Sequence, residues 1–131
     1  MAEYPDDCLY SKDHEWVRIE GTTGVVGITD YAQQSLGDVV YVELPSVNQT
    51  FDAGEAFGTV ESVKAVSELF MPVAGQVTAV NTKLADSPEL VNHDPYGDGW
   101  MVKIELTHPD ETSHLMSASA YEAYVKAEAS K

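Results

Sequence analysis

The stretch Glu55-Ala-Phe-Gly-Thr-Val-Glu-Ser-Val-Lys64-Ala-Val-Ser-Glu-Leu-Phe-Met-Pro-Val73 decides the fold. Two alternating arms meet around Lys64-Ala65, the pattern of an antiparallel hairpin. With those two residues as the loop, Val63 faces Val66, Ser62 faces Ser67, Glu61 faces Glu68, Val60 faces Leu69 and Thr59 faces Phe70. Val60, Leu69 and Met71 then share a core face, while Glu61, Val63, Val66 and Glu68 share a largely wet one. Two features sit badly with a hairpin built for stability alone. Opposed like charges are destabilising by a few tenths to about 1 kcal/mol, and this register opposes Glu61 to Glu68. Tight loops also favour Asn-Gly or Asp-Gly, which reach φ > 0 easily, and Lys-Ala is neither. An enzyme that must find one lysine of six on a protruding tip would explain the choice. On spacing alone, an ordinary exposed hairpin lysine explains it too.

Strand patterns surround this hairpin. His14 to Glu20 alternates, with Trp16 and Arg18 on one side and Glu15, Val17 and Ile19 on the other; Gly21 to Gly24 supplies a turn into Val25–Thr29. Asp30 with Gln33 reads as a capping box and Gly37 as the C′ glycine of a short helix over 30–36. Strand resumes from Asp38 to Leu44, ended by Pro45. After the hairpin, Gly75 leads into Gln76–Val80. Asn81 to Asp98 reads as a short helical turn plus loop, and Gly99 to Leu106 as strand. Ser119-Ala-Tyr-Glu122 reads as a second capping box ahead of a stripe of Tyr121, Tyr124 and Val125, which predicts a C-terminal amphipathic helix. Gly37-Asp-Val-Val-Tyr-Val-Glu43 echoes Gly75-Gln-Val-Thr-Ala-Val-Asn81, which suggests two related sheet halves bridged by the hairpin. One domain over 1–131 is expected, with its core at about 8–106 and a helical segment at about 109–129.

Composition narrows the function classes. The 131 residues carry 22 acidic against 7 basic side chains, a formal charge of −15. A chain with 44% apolar residues is globular, not disordered, and at this length buries roughly two thirds of its extended-chain surface. Such acidity argues against nucleic acid and anionic membrane, both of which need Lys and Arg to neutralise phosphate. Basic surfaces are the better partners. The single Cys8 excludes an intrachain disulfide and points to an intracellular protein. The acidic start, Met-Ala-Glu-Tyr-Pro-Asp-Asp, is unlike a signal or transit peptide, and no apolar run has membrane-spanning length.

Two chemistries are set aside. Asp94, Asp98, Gly99 and Glu105 have the spacing of an EF-hand loop, but Tyr96 occupies a ligand position and the second half alternates as a strand. His14, His93, His108 and His114 show no pair spacing, so no metal site is expected; surface or capping roles are. No Ser or Cys sits in a nucleophile motif.

The run Glu61-Ser-Val-Lys64-Ala closely resembles the attachment motif of the glycine cleavage system H proteins, within the wider biotinyl/lipoyl-attachment superfamily. The resemblance extends through Tyr10-Ser-Lys-Asp-His-Glu-Trp-Val17, Gly27-Ile-Thr-Asp-Tyr-Ala32, Leu36-Gly-Asp-Val-Val-Tyr-Val-Glu-Leu-Pro45, Pro72-Val-Ala-Gly75, Pro88-Glu-Leu-Val-Asn92, Asp94-Pro-Tyr-Gly97 and Gly99-Trp100. It implies a mainly β fold, a flattened barrel-sandwich hybrid of two antiparallel sheets with quasi-two-fold halves, a short helix after the second strand and a C-terminal amphipathic helix. It implies lipoate in amide linkage on Lys64, which takes the formal charge from −15 to −16. A pyridoxal-phosphate glycine decarboxylase (P-protein) passes the aminomethyl group of glycine to the lipoyl disulfide. A tetrahydrofolate-dependent aminomethyltransferase (T-protein) removes it, and dihydrolipoamide dehydrogenase (L-protein) reoxidises the dithiol. The chain itself is then a carrier, not an enzyme, and is expected as a cytoplasmic monomer of bacterial type, or in the mitochondrial matrix after loss of a transit peptide. Lipoate-attaching enzymes are implied to read Glu61, Glu68 and Gly75.

The resemblance also implies that the loaded arm folds back into a cleft of its own chain; an amine there would want carboxylates and a dry wall, for which Glu15, Glu68 and Tyr31 are the candidates. Asp13 stands where many members have Ser, Tyr31 where some have His, and Asn48 where Gly is usual; Asn also tolerates left-handed φ. A biotin carrier would flank its lysine with Met in place of Val63 and Ala65, and a lipoyl domain of a 2-oxo acid dehydrogenase has Asp before it. A lipoyl donor or relay protein serving other enzymes stays open beside glycine cleavage.

Overall fold

The structure, a computed structural model, describes residues 4–129. Alternation in the first arm makes β2 (Glu15–Glu20) and β3 (Thr23–Ile28). The turn between them closes on Gly21 and Thr22 alone, since Glu20 already pairs with Thr23, and Gly21 takes a φ of 61° that favours glycine. A two-residue strand that periodicity missed, β1 (Leu9–Tyr10), pairs with β2. The short helix α1 (Asp30–Leu36) therefore follows the third strand, not the second. Its N-cap is Thr29, one residue earlier than the capping-box reading: Thr29 Oγ1 accepts from Ala32 N at 3.2 Å, and Gln33 Nε2 donates to the Asp30 side chain instead of the backbone. Gly37 ends the helix at φ 80°, donating its N–H to Gln33 O.

The chain continues through β4 (Val39–Glu43), β5 (Thr50–Phe51), β6 (Ala56–Ser62), β7 (Val66–Phe70) and β8 (Gly75–Val80). The Asn81–Asp98 stretch holds two helical turns, α2 (Lys83–Asp86) and α3 (Leu90–His93), before β9 (Val102–Leu106). A 3₁₀ turn over Pro109–His114 and the helix α4 (Ala118–Ala129) follow. Ser117, not Ser119, caps α4: its Oγ accepts from Ala120 N and its carbonyl from Tyr121 N.

Two antiparallel sheets result, one of six strands ordered β1-β2-β3-β9-β8-β5 and one of three ordered β4-β6-β7. No closed barrel forms among the described residues. The echoing stretches of the sequence become β4 and β8, one in each sheet. Between the sheets, Val17, Val26 and Ile104 meet Val42, Val60 and Leu69, all nearly solvent-free. At about 1.5–3 kcal/mol per buried aliphatic side chain, this layer holds the sheets face to face. On the other side of β2, Trp16 and Tyr10 pack with Tyr121 and Val125 of α4. Trp16 covers Gly27, where a Cβ would come within 2.7 Å of the ring. Asn48 adopts φ 80°, so its turn survives the loss of glycine.

Candidate functional site

The hairpin tip is organised by Ser62. Its Oγ accepts from Lys64 N at 3.3 Å and Ala65 N at 3.1 Å, while its backbone N donates to Ala65 O at 2.8 Å. The hydroxyl thus takes the place of the backbone acceptor that a primed turn would use, and that is why Lys-Ala needs no Asn-Gly. Ser62 and Ala65 thus close the turn, so Val63 and Lys64, not Lys64 and Ala65, lie between its ends. Glu61 pairs with Val66, Val60 with Ser67 and Thr59 with Glu68, two positions out of the expected register. A shift of two preserves the faces, so Val60 and Leu69 still point inward. It removes the expected like-charge opposition: Glu61 faces Val66, and Glu68 faces Thr59.

Val63 N donates to Asp38 O at 3.0 Å, which docks the tip on the turn after α1. The Lys64 stem crosses that turn, its Cε only 3.3 Å from where a Cβ on Gly37 would lie. No carboxylate pairs with the Lys64 ammonium among the described residues. Around it the surface is apolar as well as acidic. Val63 and Val66 are 69% and 67% exposed, and Tyr41, Glu61 and Val66 lie in one cross-strand row.

Beside this hairpin a cleft of about 190 Å³ opens between α1, the β1–β2 turn and the inner ends of β6 and β7. Glu15, Tyr31 and Glu68, chosen from the sequence, all line it. Ile28, Ala32, Leu36, Val60 and Leu69 supply apolar wall; Asp13 and His14, not assigned to a cleft from the sequence, add polar atoms, as do Ser35 and Ser67, which it did not single out.

Glu15 is the unusual group. It is 2% exposed, and burial pushes its carboxyl up to about 8, against the opposing effect of hydrogen bonds from Ser11 Oγ (2.8 Å) and Phe70 N (3.2 Å). Near neutral pH it is mostly uncharged. A cation brought into the cleft would draw out the carboxylate, releasing a proton as it binds. His14 corrects the expectation of a surface or capping histidine. It is half-buried at φ 67°, its ring packs on Tyr31, Tyr121 and Tyr124, and burial lowers its pKa.

Gly75 is not brought to the tip or the cleft. It is buried in β8 opposite Phe51 and Leu106, where a Cβ would press on Ile104 at 2.9 Å. Cys8 is buried and its thiol pushed up to about 12 by that burial, which leaves it inert at neutral pH. In the EF-hand-like stretch, Asp94 accepts from Asp98 N and Glu105 from Thr22 Oγ1, while Val102–Leu106 is strand.

The family model described as Glycine cleavage H-protein matches residues 8–128. A glycine cleavage system H protein of Herpetosiphon aurantiacus is 56% identical over 131 residues, 100% of both chains. Another of that name, from Salinibacter ruber, is 59% identical over 117 residues, 89% of this chain and 94% of its own. A crystal structure of a glycine cleavage system H protein from Mycobacterium marinum matches with a TM-score of 0.86 at 41% identity, over 93% of this chain and 98% of that one.

Proposed function

The chain belongs to the glycine cleavage H-protein family, and from that premise we propose that it is a lipoyl carrier of the glycine cleavage system, with Lys64 as its attachment residue. The observation that carries the reading is the tip: an exposed lysine with no ion-pair partner among the described residues, on a loop whose backbone is fixed by Ser62. Fixing the backbone while freeing the side chain presents an acyl acceptor without ordering the arm it will bear. When attached, lipoate supplies a disulfide that can accept the aminomethyl group of glycine and, as a dithiol, deliver electrons.

The residues present fit such a group. Gly37 leaves room for the lysine stem, and the cleft begins three residues after Lys64, at Ser67, within about 10 Å along an extended strand. Its apolar wall of Ile28, Ala32, Leu36, Val60 and Leu69 gives the arm a surface to pack on. Glu15 and Glu68 are placed to receive an amine, Glu15 by giving up its proton to water as the cation enters, and Tyr31 closes the α1 side. Glu61, exposed beside Tyr41 and Val66, is open to a lipoate-attaching enzyme. Gly75 serves attachment through the close packing of β8 on β9, not by contact.

As a carrier rather than a catalyst, the protein works with a glycine decarboxylase, an aminomethyltransferase and dihydrolipoamide dehydrogenase in turn. Tethering raises the local concentration of the cargo at each. Its acidic, valine-flanked tip suits basic, apolar-lined active-site entrances. The named relatives are bacterial, which supports a cytoplasmic role, and no helix among the described residues is long and apolar enough to cross a membrane. Reconstitution tests this. Lipoylated protein with P-protein should support glycine-dependent CO₂ exchange; lipoylated protein that supports none would instead be a lipoyl donor for other enzymes.

A further inference from the structure

The C-terminal helix is hydrogen-bonded to the cleft wall through the Tyr121 hydroxyl. Tyr121 OH lies 2.8 Å from His14 Nδ1 and 2.8 Å from Thr29 Oγ1, and both Tyr121 and Thr29 are fully buried. Counting donors fixes the direction of this chain. Thr29 Oγ1 already accepts from Ala32 N, and among the described residues its own proton has one acceptor in reach, the Tyr121 oxygen. Tyr121 must then donate onward to His14 Nδ1, which leaves His14 with its proton on Nε2. In the reverse direction an imidazole Nδ1–H would donate to Tyr121 and Tyr121 to Thr29, stranding the Thr29 hydroxyl proton in a dry site, which is costly. Protonating His14 forces that reverse direction.

We propose that Tyr121, held by Thr29, is a positioning residue that fixes His14 as the neutral Nε2–H tautomer, so that the cleft wall meets the cargo amine without a competing cation. The functional half rests on the carrier reading above; the tautomer does not. The groups facing His14 are Asp13 and Glu15 on its own segment, Glu68 across the cleft, Tyr31 on α1, and Tyr121, Tyr124 and Glu128 on α4. The carboxylates among these favour an imidazolium: Asp13 and Glu128 both pull the His14 pKa upward, against the burial that lowers it. A wall histidine that yielded to them would take up the negative field meant for the cargo and repel an ammonium beside it.

The tautomer is read by long-range ¹⁵N–¹H NMR on the unmodified wild-type protein, which needs neither lipoate nor a variant that folds. The Nε2–H pattern is expected for His14, persisting below the pH at which free histidine titrates; an Nδ1–H pattern overturns the proposal. In Tyr121→Phe the titration midpoint of His14 should rise, and Thr29→Ser, which keeps the hydroxyl, should leave it in place. A midpoint unmoved in Tyr121→Phe, with the amide spectrum otherwise retained, also overturns it. On protein loaded by P-protein and glycine, the ratio of ammonia release at pH 6 to that at pH 8 should grow about two- to fivefold in Tyr121→Phe over wild type. An equal ratio, with the tautomer as expected, refutes the role toward the cargo while the carrier reading stands.

Discussion

The hairpin tip and the cleft corner are built in opposite ways. At the tip, hydrogen bonds run within Ser62–Ala65, and one more reaches Asp38. At the corner, Glu15 is held by Ser11 four residues before it but also by Phe70, 55 residues on, and His14 by Tyr121, 107 residues on. The tip is a local motif that holds a backbone still and leaves a side chain loose. The corner is a tertiary assembly that buries ionisable groups and changes their protonation. On the proposed reading a carrier uses both, its arm free at a partner and held in transit.

Substitutions should separate the two regions. The largest effect is expected of Lys64→Arg, which keeps charge and turn but removes the acyl acceptor: a folded protein, by circular dichroism, with no glycine-dependent CO₂ exchange after treatment with lipoate-attaching enzyme. Glu15→Gln comes next and acts on stability. The folded-state pKa of Glu15, about 8, lies above its unfolded value, so the native state holds a proton that the unfolded chain has lost. That contribution is complete below the unfolded pKa and disappears as pH rises through about 8. Urea denaturation of the wild type should therefore lose on the order of 2–4 kcal/mol more than Glu15→Gln between pH 5 and pH 9. Parallel curves would show that Glu15 is solvated.

Ser62→Ala should cost about 1–2 kcal/mol, because two loop N–H groups lose their acceptor. It should slow lipoyl attachment without touching the cargo lifetime, a pairing that time courses of both reactions would reveal. The smallest effect is expected of Glu68→Ala. Attachment stays largely intact, and ammonia release from loaded protein, without T-protein, speeds up a few-fold. Unchanged release would remove Glu68 from the cleft's function.

The difference between the regions also explains what could be read from the sequence. Alternation placed the strands and both faces of the hairpin, because a period of two survives even a two-residue error in register. The position of the turn did not follow, since the Ser62 hydroxyl changes which residues close it; a serine two positions before the lysine is the signal that could have found it. Helix caps slipped by one or two residues for a similar reason: Thr29 and Ser117 cap where Asp30 and Ser119 also could, and tertiary contacts choose. Tyr121 was legible only as part of an apolar stripe. Its hydroxyl matters through His14 and Thr29, which no local pattern connects to it. Glu15, Tyr31 and Glu68 came from the family resemblance, and the fold brings them to one cleft.

Peptide-level mass spectrometry of the protein from cells supplied with lipoate asks whether Lys64 is the attachment residue. A lipoyl group is expected on the peptide containing Lys64 and on no other lysine. Biotin at Lys64, or acylation elsewhere with Lys64 bare, would contradict it.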